Sequence, residues 1–299
     1  MYHQPALLPE SIEGLSINPS GIYADVTFGG GGHSREILSK LNANGRLIAF
    51  DQDEDAINNS IDDERFTLVN ENFRFLKNFL RLHKAIPLDG LLADLGISSH
   101  QIDTPERGFA TRYDGPLDMR MGQKQGISAA DMINTYSEDK LSSVFKVYGE
   151  IDNARLLSGK IIQARSKPIT TTHELKEIVK TCTPGRTENK YLAQVFQAIR
   201  IEINDEMGAL QTMLRQAADI LKPGGRLVVI SYHSLEDRLV KNFMKTGNFE
   251  GEQVKDFYGN LIAPLKPITR KPVTPSEAEL ENNPRSRSAK LRIAQKIGI

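Results

Sequence analysis

The stretch Asp25-Val26-Thr27-Phe28-Gly29-Gly30-Gly31-Gly32-His33-Ser34 decides the reading of this 299-residue chain. It closes a short apolar run, residues 21–26, and leads into a helical pattern, so a loop bare of side chains lies at a strand end over a helix start. Glycines let backbone approach a bound molecule closely, and the first turn of a helix offers unpaired N–H groups and partial positive charge. Outward from this loop, apolar runs recur at 46–51, 66–69 and 88–94, each separated by a helix-length segment. Near-continuous apolar strands closed by polar residues belong to a parallel sheet covered on both faces. The expected fold is therefore α/β, with a doubly wound sheet.

The rhythm breaks from about 103 to 191, where strand patterns give way to helix signals at 128–133, 137–147, 154–164 and 171–180. Ser137 followed by Glu138 and Asp139 starts one of these helices, with Gly149 as its expected end, and Thr171 with Glu174 forms a capping box for another. Pro168, Pro184 and Gly185 fall at internal breaks. A long amphipathic pattern over 195–221 then leads through Pro223-Gly224-Gly225 to a strand at 226–230, a helix at 234–244 and a last strand at 291–294. The expected organisation is a sheet domain in two parts, 1–103 and 193–299, with a helical substrate-recognition domain, 104–192, inserted between them.

Composition narrows the class. Apolar residues make up 39% and charged residues 25%, and no run approaches the roughly 20 apolar residues of a membrane helix. The first fifteen residues lack the basic start and apolar stretch of a secretory signal, and a lone Cys182 suits a reducing compartment. A cytoplasmic location is expected, with no membrane partner. Thirty-eight basic and thirty-eight acidic side chains cancel, yet residues 264–299 hold eight Lys/Arg against three Glu, a local excess of five that can meet phosphates.

Asp51 ends the second strand twenty-two residues after Gly29, where a carboxylate can accept hydrogen bonds from both hydroxyls of an adenosine ribose. Asp94-Leu95-Gly96-Ile97-Ser98-Ser99-His100-Gln101 brings a third polar cluster to the same carboxyl edge, and Phe73, after the third strand, offers an apolar face for an adenine. The loop departs from G-x-G-x-x-G because Ser34 stands where the third glycine belongs, which weakens a nicotinamide reading. Pro223-Gly224-Gly225 before a late apolar strand favours a methyltransferase sheet.

Seven blocks then run in order along nearly the whole chain: 25–34, Asp94-Leu-Gly-Ile-Ser-Ser, Glu106-Arg-Gly-Phe, Asp114-Gly-Pro-Leu-Asp-Met-Arg-Met, Phe196-Gln-Ala-Ile-Arg-Ile, Ser231-Tyr-His-Ser-Leu-Glu-Asp-Arg and Asn283-Pro-Arg-Ser-Arg-Ser. Together they resemble the motif series of the bacterial 16S ribosomal RNA cytosine-N4 methyltransferase family. The resemblance implies a class I, Rossmann-like S-adenosylmethionine methyltransferase sheet with an inserted small helical domain. It implies that Gly31, Gly32 and His33 cradle S-adenosylmethionine, that Asp51 holds its ribose, and that Phe73, Asp94 and Gln101 complete the pocket. It also implies that the substrate is 16S rRNA or the small ribosomal subunit, methylated at a decoding-centre cytosine; a homodimer is compatible with it. Ala6, Gln194 and Ile151-Asp152 depart from the family pattern and bear on RNA contacts rather than on the chemistry.

A sulfonium methyl is already activated, so catalysis rests on alignment and water exclusion, and no metal is required. The exocyclic amine of cytosine shares its lone pair with the ring, so acceptors must hold its N–H groups. The Pro-Pro-aromatic motif that often supplies them is replaced here by Asp94-Leu95-Gly96-Ile97. Ser98, Ser99 and Asp118 in the loop 114–118 are the candidate acceptors, with His233 and Asp237 beyond them. Arg107, Arg112, Arg120, Arg285 and Arg287 are the candidate phosphate contacts. The rival readings are a nicotinamide oxidoreductase, a methyltransferase for another nucleic acid or protein, and a non-catalytic RNA-binding assembly factor.

Overall fold

The computed structural model describes residues 5–124, 126–183 and 187–298, so the expected break at Pro184 and Gly185 lies outside the described residues. The chain forms two compact units, residues 1–96 with 208–299, and residues 97–207. In chain order the first unit opens with α1 (Leu8–Leu15), β1 (Ile22–Asp25), α2 (Gly32–Lys40), β2 (Arg46–Phe50), β3 (Phe66–Val69), α3 (Leu76–Leu82) and β4 (Leu88–Asp94). The second unit follows with α4 (Ser99–Asp103), α5 (Ala129–Thr135), α6 (Glu138–Gly149), α7 (Ala154–Ala164), α8 (Thr172–Lys180) and α9 (Glu188–Asn204). The chain returns through α10 (Glu206–Ile220), β5 (Leu221–Ser231), α11 (Ser234–Thr246), β6 (Leu265–Pro267), α12 (Glu277–Asn282) and β7 (Lys290–Lys296).

The seven strands are ordered β3-β2-β1-β4-β5-β7-β6. The first five are parallel, and β7 and β6 are added antiparallel. Successive strand residues face opposite sides, so an apolar strand must bury both of its faces. Ile48, Phe50, Leu227 and Val229 enter one core with α3, α10 and α11, whereas Leu47, Ala49, Val228 and Ile230 enter another with α1 and α2. The winding direction reverses between β1 and β4, which opens a crevice at their carboxyl ends.

Several local details differ from the sequence expectation. β5 begins at Leu221, five residues early, because Leu88 pairs with Leu221 and Gly90 with Arg226, leaving the Pro-Gly-Gly turn as a bulge inside the strand. The run 195–221 is two helices, because Asp205 turns left-handed at φ 46° between α9 and α10. α6 ends at Gly149 as expected, but the left-handed cap at φ 51° falls on Glu150, the residue after it. Gly149 is small because a Cβ there would lie 3.0 Å from Ile151 and 3.1 Å from the Gln194 carbonyl.

The second unit has its own core, built from Leu141, Phe145, Leu157, Ile161, Val195 and Ile199 among others. Ser128, Ser137 and Thr171 cap their helices through side-chain oxygens that accept backbone N–H groups. The borders of this unit are wider than 104–192, because Ile97 already packs on its core and α9 runs on to Asn204.

Candidate active site

The crevice of the first unit is built from strand ends. β1 ends at Asp25, which is 1% exposed; its carboxylate accepts a 2.6 Å hydrogen bond from the Ser34 hydroxyl and one from Thr27 N–H. Burial raises its pKa despite those bonds. Ser34 thus has a structural task at the position where a dinucleotide loop carries its third glycine.

Gly29 and Gly31 adopt φ +51° and +77°, which side-chain-bearing residues rarely adopt. A Cβ on Gly29 would meet nothing within 4 Å, so this backbone borders open space. Its N–H donates to Asp51 Oδ2 at 2.7 Å, and Asn59 Nδ2 donates to its carbonyl at 3.0 Å. α2 begins on Gly31 without a side-chain cap. Gly32 plays a different part: a Cβ there would lie 2.2 Å from Pro5 Cγ, so its bareness serves the packing of the N-terminal segment.

Asp51 follows β2 and also accepts from Asp53 N–H through Oδ1 at 2.9 Å. Burial pushes its pKa up to about 6, and the charges of Asp53 and Asp25 add to the shift. Asn70, after β3, donates to the Asp51 carbonyl at 2.9 Å and ties the two strand ends together. Phe73 lies in a 3-10 turn capped by Asn72 and is half-buried against the sheet core.

Asp94 ends β4. Its N–H donates to Thr27 Oγ1 at 2.6 Å, and its Oδ1 accepts from the Tyr232 hydroxyl at 2.8 Å. Burial drives its pKa to about 7, helped by repulsion from Asp25 and Glu236 and opposed by the Tyr232 bond. His33 Nδ1 lies 3.8 Å from Asp94 Oδ2. Burial holds the imidazole pKa down to about 4, so this is a neutral ring beside a carboxyl and not an ion pair. Its Nε2 donates to the Ala6 carbonyl at 3.2 Å, which fixes the tautomer and leaves Nδ1 as an acceptor.

The first unit thus brings the glycine loop, His33, Asp51 and Asp94 to one strand edge, with Asp25 beneath. The arrangement can receive a cation, which would relieve the repulsion that raises these carboxyl pKa values, and a pair of hydroxyl donors. A pyrophosphate would meet acids instead. The sequence reading passes over Tyr232 and Asn70 as site residues. Both lie just past a strand's carboxyl end, so the rule that selects Asp51 and Asp94 would reach them if applied to β5 and β3.

In the second unit Ser98 and Gln101 form a capping box for α4: Ser98 Oγ accepts from Gln101 N–H, and Gln101 Oε1 accepts from Ser98 N–H. Ser99 is half-buried at the first helical position. Asp118 is gripped by Arg120, with Oδ1 taking Nε at 2.9 Å and Oδ2 taking NH2 at 2.8 Å. Burial would raise the Asp118 pKa, but these hydrogen bonds outweigh it and hold the carboxyl below its usual range.

The expected role of Arg107 is corrected by its burial, whereas Arg120 and Arg112 each carry an ion pair. Arg107 is 3% exposed and donates to the carbonyls of Arg120 and Met121, so it holds a loop and presents no face to a phosphate. Arg120 is occupied by Asp118. Arg112 is exposed, paired with Asp103 and stacked on Tyr113. In the first unit Arg287 is exposed and Arg285 half-buried in the turn before β7. The two outlying candidates have structural tasks: His233 caps α11 through Nδ1, and Asp237 binds Arg292 bidentately, tying α11 to β7.

This chain is 59% identical over 297 residues to "Ribosomal RNA small subunit methyltransferase H" of Flavobacterium johnsoniae, covering 99% of this chain and 98% of the relative. It is 57% identical over 296 residues to the protein of that name from Bacteroides thetaiotaomicron, covering 99% and 97%. The protein of that name from Cytophaga hutchinsonii is 56% identical over 299 residues, with coverage of 99% and 100%. The sequence profile of the MraW methylase family matches residues 1–297, and the chain belongs to that family.

Proposed function

We propose that this protein transfers the methyl group of S-adenosylmethionine to the N4 amine of a cytosine in 16S ribosomal RNA, at the decoding centre. The family and the relatives' names support a methyltransferase acting on small-subunit RNA. The observation that carries the cofactor reading is the acidic strand edge at the β1/β4 reversal, with Asp51 and Asp94 desolvated beside an open glycine backbone. A nucleoside bearing a sulfonium and an ammonium fits that donor set, whereas a pyrophosphate does not.

In this reading Gly31 and Gly32 shape the loop, and His33 lines it with a fixed acceptor nitrogen. Asp51 spends two of its roughly four lone pairs on Gly29 and Asp53 and keeps the rest for ribose hydroxyls. Asp94 answers the positive charge, and Phe73 offers an apolar wall to the adenine. When bound, the cofactor supplies an electrophilic methyl. The chain aligns the amine with it, excludes water and holds the amine protons.

Ser99 is the first choice of acceptor, because its hydroxyl makes no hydrogen bond among the described residues. Ser98 has part of its capacity committed to the capping box, and Asp118 is committed to Arg120. Arg112, Arg120, Arg285 and Arg287 are the proposed phosphate contacts. The helical unit 97–207 is the proposed substrate-recognition part. Among the described residues no helix is long and apolar enough to cross a membrane. We place the enzyme in the cytoplasm with its ribosomal substrate; a homodimer remains part of the proposal.

Two measurements test this. Titrating S-adenosylmethionine into the protein should release heat, and Asp51→Ala should weaken binding by at least about tenfold, the loss of one charge-assisted hydrogen bond. Incubating small subunits with methyl-labelled cofactor should mark one cytosine at N4. Absence of both heat and label would overturn the reading.

A further inference from the structure

Residues 254–262 form a small hairpin on the first unit. Ile262 N–H donates to the Val254 carbonyl at 2.8 Å, Asp256 N–H donates to the Asn260 carbonyl at 2.9 Å, and Lys255 bridges Leu261 antiparallel. The Asp256 carboxylate builds the turn by accepting from Tyr258 N–H, Asn260 N–H and Asn260 Nδ2 at 2.8–3.0 Å. Gly259 supplies φ +86° to close it. The tip is therefore ordered by its own hydrogen bonds, yet it carries two aromatic rings into solvent. Phe257 is 97% exposed and Tyr258 86%, with ring centroids 5.6 Å apart and nearly perpendicular.

Six of the fourteen exposed large apolar residues among those described lie in 254–268, which makes this a patch and not scatter. The sequence that carries it is rich in exposed cations. Lys255, Lys266, Arg270 and Lys271 are exposed and make no ion pair among the described residues. The nearest acids in sequence, Glu250 and Glu252, precede the hairpin's first strand residue, and Asp256 is spent inside the turn.

A protein partner would need a broad apolar face of about 800 Å² with few charges at its centre. Two rings on a narrow ribbon, with unpaired cations close in sequence, do not provide that. They do match a single-stranded polyanion whose bases offer flat faces, because stacking on aromatic side chains is the sequence-tolerant way to hold unstacked bases. We propose that the hairpin tip is an RNA-stacking element: Phe257 and Tyr258 take bases of the substrate strand that are unstacked when the target cytosine is extracted, while the four cations hold its phosphates. This rests on the reading of the substrate as RNA.

The test uses the full chain, a short single-stranded RNA containing 2-aminopurine, and intact small subunits. Combined Phe257→Ala and Tyr258→Ala should weaken RNA binding at least about tenfold and abolish the quenching that reports stacking, while the heat of cofactor binding stays unchanged. Phe257→Trp should retain affinity. Lys255→Ala with Lys266→Ala should flatten the salt dependence by about 0.7 in slope for each lysine removed. Unchanged RNA affinity and quenching in the alanine variant would overturn the proposal while leaving the RNA substrate intact, provided that wild-type protein binds and methylates RNA. Failure of wild-type protein to bind RNA would overturn both. Loss of a dimer on sedimentation, with RNA affinity per chain preserved, would assign the tip to contact with a second copy and overturn the proposal too.

Discussion

Asp94 shows how a single side chain acquires its chemistry from its neighbours. Its carboxyl is desolvated at a strand end, repelled by Asp25 and Glu236, faced by a neutral His33 and steadied by the Tyr232 hydroxyl. Tyr232→Phe removes the one contact that favours the ionised form, so the Asp94 pKa should climb further above about 7. A cationic cofactor prefers the ionised carboxyl. Binding by this variant should therefore weaken by about threefold to tenfold near neutral pH and recover by about pH 9, because a carboxyl that titrates one pH unit higher is ionised about tenfold less below its midpoint. Calorimetric titrations across pH would show this as a displaced curve; superimposable curves would remove Tyr232 as a positioning residue. At this scale the sequence reveals which acids reach the edge. It does not reveal that Arg107 is a buried strut or that Asp118 and Arg120 satisfy each other, since both facts depend on where a loop folds back.

The elements are legible where a periodic pattern repeats over enough residues. β3, β4 and α7 match their expected bounds, because long apolar runs and uninterrupted helical spacing leave few competing structures. The sequence reading misses β6, three residues ending in Pro267, because it exists only through its pairing with β7. It also misses α1; Pro9, Ser11 and Glu13 obscure the apolar face, which becomes visible only where Leu15 enters the sheet core. The Pro223-Gly224-Gly225 turn is readable, but its bulge within β5 is not. A Cβ on Gly225 would lie 2.9 Å from the Lys222 carbonyl oxygen and 3.1 Å from those of Asp89 and Leu88, all rigid backbone. Gly225→Ala should therefore destabilise the protein by about 1–3 kcal/mol. Chemical denaturation would check this, and an unchanged midpoint would mean that the strand can shift its register.

Across the whole molecule, the site's electrostatics should appear in stability. Without cofactor, Asp51 and Asp94 titrate at about 6 and about 7, above the ordinary carboxyl value. The folded state then binds these protons more tightly than the unfolded chain, so their contribution favours folding at low pH and is lost as pH rises through those values. The melting temperature of the cofactor-free protein should fall between about pH 5 and pH 8, and the increment given by S-adenosylmethionine should grow over the same interval. Carboxyls held low by partners, such as Asp63, Asp118 and Glu174, act in the opposite sense but in a more acidic range. Scanning calorimetry with Asp51→Asn and Asp94→Asn would test the assignment, because a decline that persists unchanged in both variants must come from other groups. The chain by itself determined the parallel sheet, the helical unit and the acidic strand edge, because apolar periodicity and strand-end polarity are local and repeat along the sequence. Only the tertiary structure decided which charges are spent on one another, which glycine faces open space and which faces Pro5, and which aromatic rings stay in solvent. Those outcomes depend on residues far apart in sequence meeting at a few ångströms.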